Sequence, residues 1–260
     1  MFVALAQRLG RSRELIGALV YRELAVRYRQ SVLGLLWAVV QPVLLMVVFT
    51  AIQQVVAFRS GGTPYPVFAY AGLLPWTTFS NAVLFAGRSV VGNASIVRKI
   101  YFPWEILPTA SVIVALVDFV LAFAVLLILL GYYGLPFHPT LLAIPVLLLV
   151  QTTLALGVGY ATAALGVFRR DALLAIPFVM QIWMFASPVI YSAGAVPARL
   201  RGLFLLNPMA GVIEGYRAAI LDGRWPSPEL LGVSALVSGA VLLLGYAVFR
   251  RLEPLFADVI

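Results

Sequence analysis

The chain has 260 residues, of which 63% are hydrophobic and only 11% are charged, and its mean hydropathy is +1.02. Soluble domains are about half apolar and about a quarter charged, so this composition excludes an ordinary water-soluble enzyme and indicates a membrane protein. The net charge of +8 does not indicate binding to nucleic acid, because so few charges in so much apolar sequence cannot form a basic groove.

The chain contains no cysteine, one histidine and a single lysine, Lys99. This inventory excludes thiolate nucleophiles, cysteine-ligated metals and histidine-cluster metal sites. The residues before Lys99 include none of the glycines of a phosphate-binding loop, so we expect no ATP hydrolysis by that route. We therefore expect no cofactor in this chain and expect any ATP and Mg²⁺ to be bound by a partner subunit.

The first element, residues 1–32, has a helical pattern of charge. Glu23 and Arg27 form an i,i+4 pair within it. Its arginines share one face and its apolar residues share the other: Arg11, Arg22 and Arg29 against Ile16, Leu19, Val20 and Leu24. We interpret this region as a cationic amphipathic helix along the inner membrane surface. A simple anchor is an equally good interpretation.

Long intervals without charge predict six membrane spans, because a central charge costs about 2.5–3.5 kcal/mol on insertion scales. The interval between Asp118 and Arg169 exceeds the roughly 20 residues of one span, and the turn residues Gly131–Pro136 divide it in two. The predicted spans are Leu33–Phe58, Val67–Gly87, Leu107–Leu130, Leu141–Val167, Leu173–Tyr191 and Leu231–Phe249. Spans one to five thus occupy residues 33–191, and residues 230–260 hold span six and a cytosolic tail. The sequence predicts an all-α polytopic membrane protein with one domain, residues 1–260.

The distribution of positive charge predicts the orientation of this bundle. With the N-terminus inside, the inner segments hold 13 of the 18 lysines and arginines. The five predicted to lie outside are Arg59, Arg199, Arg201, Arg217 and Arg224. Positive residues concentrate in cytoplasmic segments, so both termini are predicted to be cytosolic.

Between spans two and three, the segment Asn93–Phe102 predicts a short cytosolic helix that Asn93 caps and Pro103 ends. Its apolar side chains stand beside two cations, a combination that favours a docking surface for another protein. A loop packed back onto the bundle is an equally good interpretation.

The outer segment between spans five and six, residues 192–229, is too long to be a simple connecting loop. Its part 207–221 is apolar but carries Glu214 and Arg217 at i,i+3. Irregular backbone at membrane depth must be covered by protein or line water. We therefore predict a re-entrant pair of short helices here.

Two further patterns bear on whether the chain has a ligand-binding or active site. The run Gly157–Ala164 superficially resembles a dinucleotide-binding fingerprint but lies within a predicted span, so we interpret its small residues as close helix contacts. Asp118 is the one ionisable residue well inside a predicted span, which makes it a candidate for function or for a structural hydrogen bond. No Asp-x-Asp or Asp-x-x-Asp motif is present, so a metal-dependent transferase lacks a predicted active site.

Aromatic residues are frequent in or at the ends of spans one, two and five. Packing is the simpler interpretation for any one ring. As a set with few charges they suit a neutral, hydroxyl-rich chain, whose sugar faces stack on rings. The candidates for a channel lining are Trp37, Trp76, Phe79, Phe85, Trp183, Phe185 and Tyr191.

Three blocks of sequence follow one another along the chain. The first is Arg22–Trp37 with Pro42; the second is Gly72–Trp76, Asn93, Ile96–Pro103 and Glu105–Pro108; the third is Ser187–Tyr191, Leu206–Met209 and Glu214. Together they resemble the permease subunits of polysaccharide ABC exporters, type-2 permeases that move O-antigen, teichoic acid and related polymers. The likeness covers nearly the whole chain.

The resemblance implies a half-transporter in the cytoplasmic membrane of a bacterium, paired with a second copy of itself and with an ATP-binding cassette subunit. The cargo it implies is a lipid-linked polysaccharide. By the same likeness the docking elements contain Arg22, Glu23, Arg27, Ile96, Arg98, Lys99, Ile100, Tyr101 and Phe102. The outer gate contains Asn207, Pro208, Glu214 and Arg217. Trp104 stands where the likeness leads us to expect a charged residue.

Alternatives to O-antigen export remain at this point. Teichoic acid or capsular polymer would use the same mechanism. From other classes, the alternatives are a membrane-embedded polyprenyl-lipid transferase and an ion-coupled secondary carrier.

Overall fold

The computed structural model describes residues 9–10, 12–29, 31, 34–56, 61–94, 103–197, 199 and 201–256. Within these ranges the chain is built from helices joined by turns, without a β-strand. The predicted all-α class is confirmed.

The α-helices of the described residues are numbered in chain order. They are α1 Arg13–Tyr28, α2 Trp37–Val56, α3 Tyr65–Gly92, α4 Ile106–Tyr132, α5 Ile144–Phe168, α6 Arg170–Phe185, α7 Arg201–Leu206, α8 Pro208–Ile220 and α9 Pro228–Leu252. Proline stands in the first turn of α3, α5, α8 and α9, where its missing N–H costs no hydrogen bond. Each predicted span coincides with one helix. The largest difference is at predicted span five, where α6 ends at Phe185 and a turn follows.

Among the described residues, four helical segments are long and apolar enough to cross a membrane, against the six predicted. They are Gly34–Val55, Ile106–Tyr132, Pro139–Phe168 and Pro228–Leu255. The helix α6 has 16 residues and spans about 24 Å, less than the roughly 30 Å of a hydrocarbon core. The helix α3 is long, with 28 residues, but carries Thr77, Thr78, Ser80 and Asn81 in its middle.

The polar character of α3 is explained by its central position. It contacts α2, α4, α5, α6 and α8, and most of its residues are buried. The hydroxyls of Thr77 and Thr78 donate to the carbonyls of Leu73 and Leu74 one turn earlier, at 2.9 Å each. Because neighbouring helices cover α3 and its hydroxyls are satisfied within the helix, it needs less apolar sequence than a helix facing lipid.

The closest helix pair is α5 with α9, and glycines make the contact. A Cβ at Gly245 would lie 1.9 Å from the carbonyl oxygen of Gly157, and a Cβ at Gly157 would lie 2.6 Å from the backbone of Leu242. A Cβ at Gly159 would lie 2.8 Å from Ala86 of α3. The predicted role of these small residues in close packing is confirmed.

An aromatic cluster closes the end of the bundle at which α4 begins and α9 ends. The ring of Phe256, which is fully buried, packs on Trp104, Phe168 and Phe249 at centroid distances of 5.4–6.0 Å. Trp104 therefore has a packing role where a charge was expected.

Candidate functional site

The segment after α6 wraps around the side chain of Arg217, which projects from α8. Nη1 of Arg217 donates to the carbonyls of Pro188 at 2.6 Å and Tyr191 at 3.0 Å, and Nη2 donates to the carbonyl of Val189 at 2.6 Å. Nη1 also pairs with Glu214 at 3.3 Å, which confirms their predicted proximity at i,i+3. We call Arg217 and the carbonyls of Pro188, Val189 and Tyr191 the outer cradle.

The helix α3 forms the back of the outer cradle. The guanidinium of Arg217 lies 3.7 Å from the ring centroid of Phe68, a cation–π distance. A Cβ at Gly72 would lie 2.4 Å from the carbonyl oxygen of Val189 and 2.6 Å from Nη2 of Arg217. Only glycine at position 72 allows the turn and the arginine to approach α3 this closely.

Arg217 is only 4% exposed, whereas the sequence placed it among the outer cations of a loop. The sequence predicted Arg217 within an apolar pair of short helices, and the apolar residues around it belong to the packed helix α8. Its charge is compensated by carbonyl dipoles and one carboxylate.

Asn207 joins the same turn to the start of α8. Its Oδ1 accepts from the backbone N–H of Met209, as an N-cap, and from Nε1 of Trp183 at 2.9 Å. Its Nδ2 donates to Oγ of Ser187 at 2.9 Å. Pro208 follows as the first residue of α8 and is buried. The predicted gate residues Asn207 and Arg217 thus both bond to the turn after α6, through Ser187 and Pro188.

A cleft of about 580 Å³ opens beside Asn207. Its walls come from the end of α6, the turn after it, and α7. The lining includes Trp183, Phe185, Tyr191, Leu203 and Phe204. The cleft is therefore mainly apolar and aromatic.

The seven candidate channel aromatics do not form one surface within a single chain. Trp76 and Phe79 are buried and pack edge-on against Trp183, at centroid distances of 6.4 and 5.1 Å. Trp37 and Phe185 are about half exposed, at 51% and 53%. Of the other two, Phe85 contacts Arg27, and the Tyr191 hydroxyl donates to the carbonyl of Phe185. Their role as a lining stays a prediction.

A second polar cluster joins α1 to α4. Arg27 forms ion pairs with Glu23 and with Asp118, each at 3.2 Å, which confirms the predicted Glu23–Arg27 pair. Ser111 donates to both carboxylate oxygens of Glu23, at 3.1 and 3.0 Å. The hydroxyl of Tyr28 donates to Asp118. We call these five residues the polar ladder.

The helix α3 also contacts this cluster. The guanidinium of Arg27 lies 3.6 Å from the ring centroid of Phe85, and Arg22 donates to the side-chain oxygen of Asn93 at the end of α3. A cleft of about 250 Å³ lies between the three helices, with Arg22, Arg88 and Ser111 in its lining. Glu23 and Arg27 therefore have partners within their own chain.

Comparison with known proteins assigns this arrangement to a family. The sequence pattern of the ABC-2 type transporter family matches residues 14–221, which include the polar ladder and the outer cradle. The chain belongs to the ABC-2 type transporter family.

Individual relatives align with almost the whole chain. The O-antigen export system permease protein RfbA of Myxococcus xanthus is 34% identical over 99% of this chain and 100% of its own length. The protein of the same name from Klebsiella pneumoniae is 25% identical over the full length of both. The polysialic acid transport protein KpsM of Escherichia coli is 24% identical over 92% of this chain and 93% of its own.

Some predicted residues of this ABC-2 family member lie outside the described part of the chain. They are the docking residues Ile96, Arg98, Lys99, Ile100, Tyr101 and Phe102. Arg22, Glu23 and Arg27 are described, but a docking role for them stays a prediction. Among the described residues no group of three histidine, aspartate or glutamate side chains is placed to hold a metal ion.

Sequence reasoning missed Phe68, Gly72, Ser111 and Tyr28 as members of these two clusters. Gly72 opened one of the three blocks and Tyr28 lay inside another, but neither carried a chemical signal of its own. Phe68 and Ser111 are common residue types in membrane helices. Their roles depend on which helices are neighbours, and no local pattern states that.

Proposed function

We propose that this chain is the membrane-spanning half of an ATP-driven exporter that moves a polysaccharide out of a bacterial cell across the cytoplasmic membrane. The observation that carries the proposal is the end-to-end alignment with two permeases named for O-antigen export. Relatives named for polysialic acid and capsule polysaccharide export support the wider class of cargo. Four helices able to cross a membrane agree with this role. We infer a lipid-linked form of the polymer from the resemblance of the three blocks.

The proposal includes six spans, with α3 and α6 crossing in addition to the four apolar helices. Support for α3 comes from its length and from the helices that surround it. The chain continues beyond the end of α6 at Phe185 as a turn, and this turn packs against α3 through the outer cradle. Six spans place both termini on one side, and the excess of positive residues places that side in the cytosol.

The permease is proposed to act as a homodimer bound to a separate ATP-binding cassette subunit. Large apolar side chains of α6 are exposed in the single chain, namely Leu174, Phe178 and Ile182 at 67–71%. Exposure of this kind suits contact with lipid or with a second copy. The ATPase is proposed to dock on α1 and on the segment 96–102, and to bind ATP and Mg²⁺ itself.

The short helices α7 and α8 are proposed to be the re-entrant outer gate. Their apolar surfaces and the buried Arg217 support a position at membrane depth, because water is not needed to satisfy this charge. The aromatic cleft beside Asn207 is proposed as the place where sugar faces meet rings.

A deletion strain of the host bacterium tests the proposal. Loss of this chain should remove the polymer from the cell surface and leave it inside, still attached to its lipid. A tagged copy should restore export and should purify together with an ATP-binding cassette subunit. Both effects follow because the permease supplies the path and the ATPase supplies the energy.

Two results would contradict the proposal. If the deletion stopped synthesis of the polymer, with no internal accumulation, the chain would be a transferase. If export continued unchanged, the chain would carry another cargo. A matched control is a copy with Arg224→Gln, since the side chain of Arg224 is exposed and pairs with Asp222, and it should restore export fully.

A further inference from the structure

Asp118 is the carboxylate that the sequence left without a role. It is 8% exposed and lies 12 residues after the first residue of α4, Ile106, about 18 Å along the helix. A carboxylate at this depth is costly unless it is paired. Arg27 and Tyr28 supply the pair, and both belong to α1, about 90 residues earlier in the chain.

The polar ladder has a regular geometry. Glu23 and Arg27 are one turn apart on α1, and Ser111 and Asp118 are two turns apart on α4, so each pair shares a helix face. Arg27 bridges Glu23 and Asp118, and Ser111 donates to Glu23. Two successive levels of contact thus hold the second half of α1 parallel to a fixed stretch of α4.

The helix α3 completes the attachment. The guanidinium of Arg27 stacks on Phe85 at 3.6 Å while it pairs with Asp118, so three helices meet at one side chain. Removing the Asp118 charge leaves Arg27 with Glu23 alone, on its own helix. The contact between α1 and α4 would then lose its ion pair.

Apolar contacts position α1 less specifically than the polar ladder does. No residue of α1 is fully buried, and Ile16 and Leu19, which pack against the aromatic end of the bundle, lie in its first half. In the second half, Val26 is 73% exposed. The position of the second half of α1, next to the start of α2, therefore depends on the polar ladder.

We propose that Asp118 is a positioning residue that locks α1 to α3 and α4, so that a displacement of α1 is carried into the bundle. The lock itself depends only on the contacts described. Its use in transport rests on the proposed function, in which the ATPase docks on α1. Without the lock, α1 moves and the bundle does not follow.

The experiment combines a position readout with a coupling readout. A spin label on a cysteine at position 26 reports the mobility of α1, and one at the exposed Tyr132 of α4 serves as the reference. Asp118→Asn should raise the mobility at position 26 and leave position 132 unchanged. In the complex with its ATPase, polymer exported per ATP hydrolysed should fall at least about fivefold, the low end of typical coupling between sites. Assembly of the complex should persist.

A double variant separates the lock from a general effect on folding. Arg27→Gln with Asp118→Asn removes both charges of the Arg27–Asp118 pair and allows an amide–amide hydrogen bond, while Glu23 keeps its hydrogen bonds from Ser111. The double variant should therefore restore part of the restraint that either single change removes. Asp222→Asn, in an exposed pair on α8's outer loop, is the matched control and should change neither readout.

Each outcome is decisive. Unchanged mobility at position 26 in Asp118→Asn overturns the lock. If the mobility at position 26 increases but no ATPase purifies together with the chain, the lock stands and the proposed function is contradicted. If Asp118→Asn does not fold, Arg27→Gln breaks the same ion pair from the α1 side and gives the same readouts, and unchanged mobility there also overturns the lock.

Discussion

The two clusters of this molecule both centre on an arginine that stacks on a phenylalanine of α3, but they satisfy that arginine in different ways. Arg27 lies 3.6 Å from Phe85 and pairs with two carboxylates, with 21% of its side chain exposed. Arg217 lies 3.7 Å from Phe68, has 5% of its side chain exposed, and binds three backbone carbonyls.

The difference lies in what can move. Carboxylates are at the ends of side chains, so the polar ladder can loosen or re-form by changes of rotamer. Carbonyls are fixed to the backbone, so the outer cradle fixes the path of the chain from Pro188 to Tyr191. The comparison indicates an adjustable joint at α1 and a rigid one at α8.

The largest effect is expected from breaking the rigid joint. Arg217→Gln leaves buried carbonyls without donors, and should lower the free energy of unfolding by about 3–5 kcal/mol. Arg217→Lys should be intermediate, because one ammonium cannot reach the same spread of carbonyls. The thermal midpoint of the detergent-purified protein, followed by tryptophan fluorescence, measures this. A midpoint equal to that of the Arg224→Gln control would refute the rigid joint.

A smaller effect is expected from pushing the outer cradle apart while keeping its arginine. Gly72→Ala places a Cβ 2.4 Å from the Val189 carbonyl, and the overlap should cost about 1–3 kcal/mol. Gly92→Ala, on the same helix with no atom within 4 Å, is the control and should cost nothing measurable. The thermal midpoints of the two variants are compared. Equal midpoints would mean that the turn moves away from α3 at little cost in stability.

The adjustable joint should respond more weakly to the loss of one neutral donor. Tyr28→Phe removes the hydroxyl that donates to Asp118 but keeps the ion pair with Arg27, so we expect a loss of about 1 kcal/mol. Tyr21→Phe is the control, since Tyr21 is 76% exposed. Both can be measured as shifts of the thermal midpoint. A loss as large as that of Arg217→Gln would remove the distinction between the joints.

The smallest effect is expected at Glu23. Burial raises the pKa of this carboxyl, against the opposing effect of Arg27, so its charged form is held at a cost. The folded state therefore gains from protonation of Glu23 as the pH falls, and loses that gain as the pH rises through the folded pKa. Glu23→Gln should change stability by less than about 0.5 kcal/mol at neutral pH.

Relative to the unchanged chain, the thermal midpoint of Glu23→Gln should fall as the pH is lowered from neutrality toward the ordinary carboxyl pKa of 4.5, because the gain from protonation of Glu23 is lost. Glu14→Gln on the exposed side of α1 is the control and should keep the pH dependence of the unchanged chain. A midpoint of Glu23→Gln that rises relative to the unchanged chain on acidification would show that Arg27 rather than burial dominates at Glu23.

The helices were predictable because their signals are local. Charge-free runs located α2, α4, α5 and α9, and spacing located the pairs Glu23–Arg27 and Glu214–Arg217. Predicted span two coincides with α3, although its polar residues keep this helix out of the four segments apolar enough to cross a membrane, because burial by protein replaces the need for apolar sequence.

The clusters themselves were not predictable from local patterns. The partner of Asp118 lies on a helix far away in sequence, and only the packing of α1 on α4 brings them together. The partners of Arg217 are main-chain carbonyls, which every residue possesses, so residue identity gives no sign of them. A buried cation and a solvated one therefore look the same in the sequence.

The contact between Gly157 and Gly245 gives the molecule a stationary frame. Between Gly157 and Gly245 main chain lies against main chain, so no side chain at this contact can rotate and absorb sliding of one helix on the other. Further along the same helix pair, Tyr160 packs on Tyr246 and Phe249. Both helices must then travel together or stay still. Relative motion in a conformational cycle is therefore expected among the other helices, with α5 and α9 moving as one unit.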